Sequence, residues 1–275
     1  MDVSHDAKVR VRYNGTMKTK KPLLIAGNWK MNPATLGIAR KLFLDIRNRL
    51  KRQSKSVDVV IAPPLPFISE LEQLAPSRRI LLAAQDVFFE KAGAHTGEVS
   101  ISMLKSVGVS YVIIGHSEMR ARGESDHDIN AATRAVIAAN VTAIVCVGEE
   151  VRDTHGNHFT HVESQLHAAV TGFPKSKLSR LVIAYEPVWA IGTGETATPE
   201  DVEEMKLFIQ KVLVDHFGRA GAKKIRILYG GSVNKKNAKQ LLEESAVDGF
   251  LIGGASLRPA EFVEIVTLAK AYANN

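Results

Sequence analysis

Cysteine is nearly absent: Cys146 is the only one among 275 residues. A lone thiol excludes an internal disulfide and removes the ligand clusters of a structural zinc site. That fits a reducing compartment, and the cytoplasm is the expectation. Long apolar runs are missing too. Each run breaks at a polar residue or a glycine after about six to eight residues, well short of the roughly 18 to 20 that a membrane helix needs, so no membrane association is expected. The chain also lacks HExxH, paired cysteines and the Rossmann glycine fingerprint, and neither a metal nor a cofactor is expected. No low-complexity linker interrupts the chain after residue 22.

A hydrophobic content of 45% and a charged content of 24% can build a large core, and the length is ordinary for a single barrel domain. The net charge of +7 raises the question of a nucleic-acid partner, which its placement answers. Residues 1–21 carry Lys8, Arg10, Arg12, Lys18, Lys20 and Lys21 against Asp2 and Asp6, six against two, and so hold four of the seven charges. The remainder is mildly basic, and no nucleic acid is expected. This opening segment has no apolar h-region of a secretory signal, and its aspartates argue against a transit peptide. We expect residues 1–21 to be a disordered basic extension and 22–275 to be one domain. Met17, before Lys-Thr-Lys-Lys, would also serve as a start.

Eight short, β-branched and leucine-rich runs recur: Leu23 to Ala26, Val57 to Ala62, Ile80 to Ala84, Tyr111 to Ile114, Ala143 to Val147, Leu181 to Tyr185, Ile225 to Tyr229 and Phe250 to Ile252. Runs without alternation are the mark of strands buried on both faces, as in a parallel sheet covered by helices. Helical patterns lie between them. Thr35 to Leu50 has apolar positions at helical spacing, Asp126 to Ala139 opens on an aspartate expected to cap it, and Thr198-Pro199-Glu200 puts proline in a first turn. Strand starts about 23 to 44 residues apart match βα units, and eight units close into an α/β fold of the (β/α)8 barrel type. A doubly wound open sheet is the alternative.

In such a barrel the site lies at the C-terminal ends of the strands. Run one ends in Asn28-Trp29-Lys30, run four in Gly115-His116-Ser117-Glu118, run six in Glu186-Pro187, run seven in Gly230-Gly231-Ser232 and run eight in Gly253-Gly254-Ala255-Ser256. Singly, each has a bland reading: a solvated carboxylate, a structural histidine, a surface lysine, tight turns. Cys146 reads as core packing. Jointly they place a base, an imidazole, an ammonium and two glycine turns at one mouth.

The stretches Ala26 to Asn32, Gly115 to Glu118, Ala184 to Gly194, Tyr229 to Val233 and Gly253 to Leu257 resemble the triosephosphate isomerase family and occur in its order. The resemblance covers nearly the whole chain after Leu23. It implies an aldose-ketose isomerase of glycolysis and gluconeogenesis that interconverts dihydroxyacetone phosphate and D-glyceraldehyde 3-phosphate through an enediolate. It further implies Glu186 as the base and His116 as a neutral electrophile at a helix N-terminus. Lys30 would supply positive charge, Asn28 would hydrogen-bond substrate oxygens, and Glu118 would hold Lys30 and pass protons. Phosphate would be bound by backbone N–H groups of Gly192, Ser232, Gly253 and Gly254. Pro187 to Thr193 resembles the family's lid, which keeps water out. Gly93 to Glu98 resembles a loop that enters a partner subunit, so a homodimer is implied.

Three positions depart from the family pattern: Glu195 at the second lid hinge, Met119 for a common Arg, and Asp86 for a common Asn. They touch lid opening and subunit contacts, not the reacting atoms. The histidines at 155, 158, 161 and 167 read as a helix surface and not a metal site. The rivals are a lapsed barrel serving as a binding or scaffold protein, against which Glu186, His116 and Lys30 together argue, and another phosphate-binding barrel enzyme, against which the lid and the Asn-Trp-Lys turn argue.

Overall fold

The structure is a computed structural model, and it describes residues 21–50, 55–75, 80–190 and 196–274. The expected basic extension therefore lies outside the described residues, apart from Lys21. Eight parallel strands pair in sequence order and close into a barrel: β1 (Leu23–Asn28), β2 (Val57–Ala62), β3 (Leu81–Ala84), β4 (Val109–Ile114), β5 (Thr142–Val147), β6 (Leu181–Tyr185), β7 (Arg226–Tyr229) and β8 (Gly249–Ile252). The helices are α1 (Leu36–Arg49), α2 (Ile68–Gln73), α3 (Ile101–Ser106), α4 (Ser117–Arg120), α5 (Asp126–Ala138), α6 (Asn157–Val170), α7 (Pro199–Phe217), α8 (Arg219–Ala222), α9 (Ala238–Ser245) and α10 (Pro259–Asn274). The open-sheet alternative is thereby excluded.

Apolar side chains divide into two cores because successive residues of a strand face opposite ways. The larger core lies between strands and helices and includes Trp29, Phe43, Ile61 and Phe262. The smaller fills the barrel with alternate residues of every strand, among them Leu24, Ala26, Val60, Ala83, Ile113, Cys146, Ala184, Leu228 and Leu251. Many of these are short, as a crowded axis requires.

Helix starts follow local chemistry. Thr35 caps α1 by accepting from the Ile38 amide, and Thr198 forms a capping box with Asp201 ahead of Pro199. For α5 the cap is Ser125, not Asp126 as the sequence suggested: Ser125 and Asp128 satisfy each other's backbone N–H. Asp126 is left free to pair with Arg120 at 2.8 Å. Nor do the four histidines form one helix surface. His155 precedes α6, and His158 is buried, with neither ring nitrogen hydrogen-bonded among the described residues.

Candidate active site

The strand alternation that fills the barrel also selects what faces its mouth. Two residues beyond Ala26 comes Asn28, beyond Ala184 comes Glu186, beyond Leu228 comes Gly230, and beyond Leu251 comes Gly253. These positions converge on a cavity of about 410 Å³ lined by Asn28, Lys30, His116, Glu186, Ser232, Gly253 and Gly254 among others. Seven of the nine residues singled out from the sequence thus meet in one place. Glu118 stands behind Lys30, and Gly192 lies outside the described residues.

Lys30 reaches the cavity through an uncommon backbone. Its φ of 53° lies in the left-handed region, a conformation that a residue with a Cβ resists. Hydrogen bonds hold it there: its amide donates to Asn28 Oδ1 at 2.9 Å, and its carbonyl accepts from Gln85 Nε2 at 2.9 Å. Gln85 also donates to the Ala62 carbonyl at 2.9 Å, tying the turn after β1 to the end of β2. The Lys30 ammonium meets Glu118 Oε1 at 2.8 Å. Burial pushes the Glu118 carboxyl up, but the hydrogen bond and charge from Lys30 outweigh it and hold it below the usual range.

His116 follows Gly115, whose φ of 68° turns the chain at the end of β4 in a way glycine permits. The imidazole caps α4, with Nδ1 accepting from the Glu118 amide at 3.1 Å. The proton of the neutral ring therefore sits on Nε2. That nitrogen lies 3.2 Å from Glu186 Oε1, while Glu186 Oε2 accepts from the Ser117 amide at 2.9 Å. Glu186 is 2% exposed, so a buried carboxylate and an imidazole N–H share the floor of the cavity. Cys146, read as packing alone, is also beside this carboxylate. Burial and then the Glu186 charge, together with a hydrogen bond to it, raise its thiol well above the ordinary range.

The opposite wall is built of backbone. In the Gly230-Gly231-Ser232 turn a Cβ on Gly231 would come within 2.3 Å of Tyr229 Oη, so a side chain has no room there. Asn237 Nδ2 donates to the Ser232 carbonyl at 2.9 Å and Asn237 Oδ1 accepts from the Asn234 amide at 2.8 Å, bracing the turn from α9. Gly253 caps the short 3-10 turn Gly254–Leu257. Ser232, Gly253 and Gly254 line the cavity here, and their short side chains let an anion come close to the backbone.

In residues 187–190, the described part of the segment expected to be a lid, Trp189 Nε1 donates to Glu149 Oε1 at 2.9 Å, and Tyr185 Oη at the end of β6 donates to the same oxygen at 2.8 Å. Sequence reading missed Gln85, Glu149 and Asn237, although the first two directly follow or closely follow apolar runs. The Asp86 departure has a local effect that was not foreseen. It adds charge near Glu124, whose carboxyl burial and Asp86 push up to about 7. Among the described residues no group of three or more His, Cys, Asp or Glu could hold a metal ion.

The family model described as Triosephosphate isomerase matches residues 23–269. Relatives bearing that name include a protein of Pelobacter propionicus, 45% identical over 88% of this chain and 97% of its own length. Another, from Carboxydothermus hydrogenoformans, is 44% identical over 90% of this chain and 98% of its own. A third, from Endomicrobium trichonymphae, is 42% identical over 91% of this chain and its full length. Barrel, cavity and kinship agree: the chain belongs to the triosephosphate isomerase family.

Proposed function

We propose that this chain interconverts dihydroxyacetone phosphate and D-glyceraldehyde 3-phosphate by moving a proton between adjacent carbons through an enediolate, a step of glycolysis and gluconeogenesis. The observation that carries the reading is the buried Glu186 carboxylate 3.2 Å from His116 Nε2 in a cavity that also holds Lys30. Glu186 acts as the base. To reach a substrate carbon, Oε2 gives up the Ser117 amide, which a ligand entering the cavity can bring about. His116 Nε2–H donates to the carbonyl oxygen as charge develops there. Asn28 binds substrate oxygens, and Lys30, held by Glu118, offsets the growing negative charge. The amides of Gly192, Ser232, Gly253 and Gly254 take the phosphate.

The same reading includes a homodimer and a cytoplasmic location. Residues 91–98 are all exposed and Met31, beside Lys30, is 91% exposed. An exposed loop and an exposed methionine of this kind are surface that a second copy would cover. Among the described residues no helix is long and apolar enough to cross a membrane.

The test is interconversion of the two triose phosphates by wild type and by Glu186→Ala. Fast wild-type turnover that falls by about three or more powers of ten in the variant is expected. A folded wild type without turnover would point to a binding or scaffold role instead.

A further inference from the structure

The backbone that carries Glu186 hangs from the end of β5. Past the last strand pair, Val147 with Tyr185, the Glu186 amide donates to the Val147 carbonyl at 2.8 Å and the Val188 amide to the Glu149 carbonyl at 3.0 Å. Gly148 lies between these two bonds and in contact with the peptide they hold. A Cβ there would stand 1.7 Å from the Glu186 carbonyl oxygen and 3.3 Å from its Cα. Any shift of Gly148 is therefore passed to Glu186 by direct contact.

Gly148 is pinned from outside the barrel. Its amide donates to Gln165 Oε1 at 2.8 Å, and Gln165 is 6% exposed on the buried stripe of α6, next to Leu166 and one turn from Val162. A polar side chain in such a stripe costs stability unless its hydrogen bonds are made. These are made. With Oε1 occupied by Gly148, the amide nitrogen faces His161 Nε2 at 2.9 Å, so Gln165 donates and the imidazole accepts with its own proton on Nδ1. The orientation of the amide is thus fixed at both ends, and α6 holds Gly148 at a set height.

We infer that Gln165 is a positioning residue for the isomerisation: through Gly148 it sets where Glu186 stands relative to the substrate carbon. The inference rests on the isomerase reading above. It concerns proton transfer and not binding, because Gln165 does not line the cavity.

The experiment compares wild type, Gln165→Leu and Gln165→Glu. Leucine keeps the volume and leaves the Gly148 amide without its acceptor; glutamate keeps an oxygen for that amide and presents its other oxygen to His161. In Gln165→Leu, kcat is expected to fall about ten- to a hundredfold with KM within about twofold of wild type. The isotope effect on substrate deuterated at the transferred position should rise as proton transfer becomes limiting. Gln165→Glu should regain most of the loss. A defect of folding alone would lower the active fraction without moving the isotope effect. Should Gln165→Leu not fold, Gln165→Asn, whose amide is one methylene too short to reach Gly148, makes the same comparison. A wild type without turnover sinks the isomerase reading and this inference together. Fast wild-type turnover with a folded Gln165 variant within twofold of it, or with a loss at unchanged isotope effect, sinks this inference alone.

Discussion

The two ends of the barrel use similar residue types in opposite ways. At the N-terminal end Arg226 of β7 donates to Asp58 of β2 at 2.9 Å and to the Tyr111 hydroxyl of β4 at 3.3 Å. Guanidinium, carboxylate and phenol satisfy one another across the axis. At the C-terminal end Lys30, Glu186 and His116 are each held from behind, by Glu118, by the Ser117 amide and by the Glu118 amide, and all three line an open cavity. Closed networks consume their polar groups in holding strands together. Open ones keep an atom for something else, and the difference can be measured.

The largest effect is expected from Lys30→Met. It removes a charge aimed into the cavity and leaves the packing of the strands alone, so kcat/KM should fall by about 10³ to 10⁵, or about 4 to 7 kcal/mol. Melting temperature should stay within a few degrees. Loss of activity accompanied by unfolding would undo the distinction between the two ends.

Arg226→Met is the converse. The residue is buried at 8% exposure, and its loss strands Asp58 and Tyr111, but Asp58 keeps some access to solvent. Destabilisation of about 2 to 3 kcal/mol in denaturant unfolding is expected, with kcat/KM of the folded protein within about twofold. A large kinetic change would mean that the far end reaches the chemistry.

The smallest effect sharpens the comparison at the outer flank of the mouth. Glu124 has one buried oxygen, Oε2, without a hydrogen-bond partner among the described residues, unlike Asp58. Its carboxyl is raised from 4.5 to about 7 by burial first and the charge of Asp86 second. A raised native pKa means that the folded chain binds more protons than the unfolded one between those values, so stability falls as pH rises through that window. Glu124→Gln should flatten the slope and, for this half-buried group, gain about 1 kcal/mol at pH 8 while matching wild type near pH 4. Stability curves that remain parallel across this range would remove Glu124 as the cause.

Most of the barrel was legible because both faces of its strands are apolar. Val57 to Ala62 and Leu181 to Tyr185 match β2 and β6 residue for residue. Elsewhere polarity misled. The β4 strand begins at Val109, two residues before the apolar run: Val109 pairs with Leu82 of β3, and Ser110 falls at an irregularity in the register before Tyr111 pairs with Ala83. The β1 strand continues through Gly27 and Asn28, which pair with Ile61 and Ala62. What runs of apolar residues conceal is parity, that is, which alternate set faces inward. It shows only in side-chain size, with Ala26, Ala62, Ala83 and Ala184 on the axis. Strand-end position sufficed to nominate Glu186, His116 and Lys30. Gln85, Glu149 and Gln165 escaped because their contacts span 55, 36 and 17 residues of sequence, and nothing local in a glutamine or glutamate announces such a partner.

The backbone at Lys30 has a consequence for anyone who evolves this protein in the laboratory. Its φ of 53° costs a side-chain-bearing residue about 1 to 2 kcal/mol, a sum that glycine escapes. A selection scored on heat tolerance alone would accordingly drift toward glycine at this position and discard the ammonium without any sign in the survival data. Libraries ranked by thermal resistance need a turnover readout at every round, or the fittest survivors will be the idle ones.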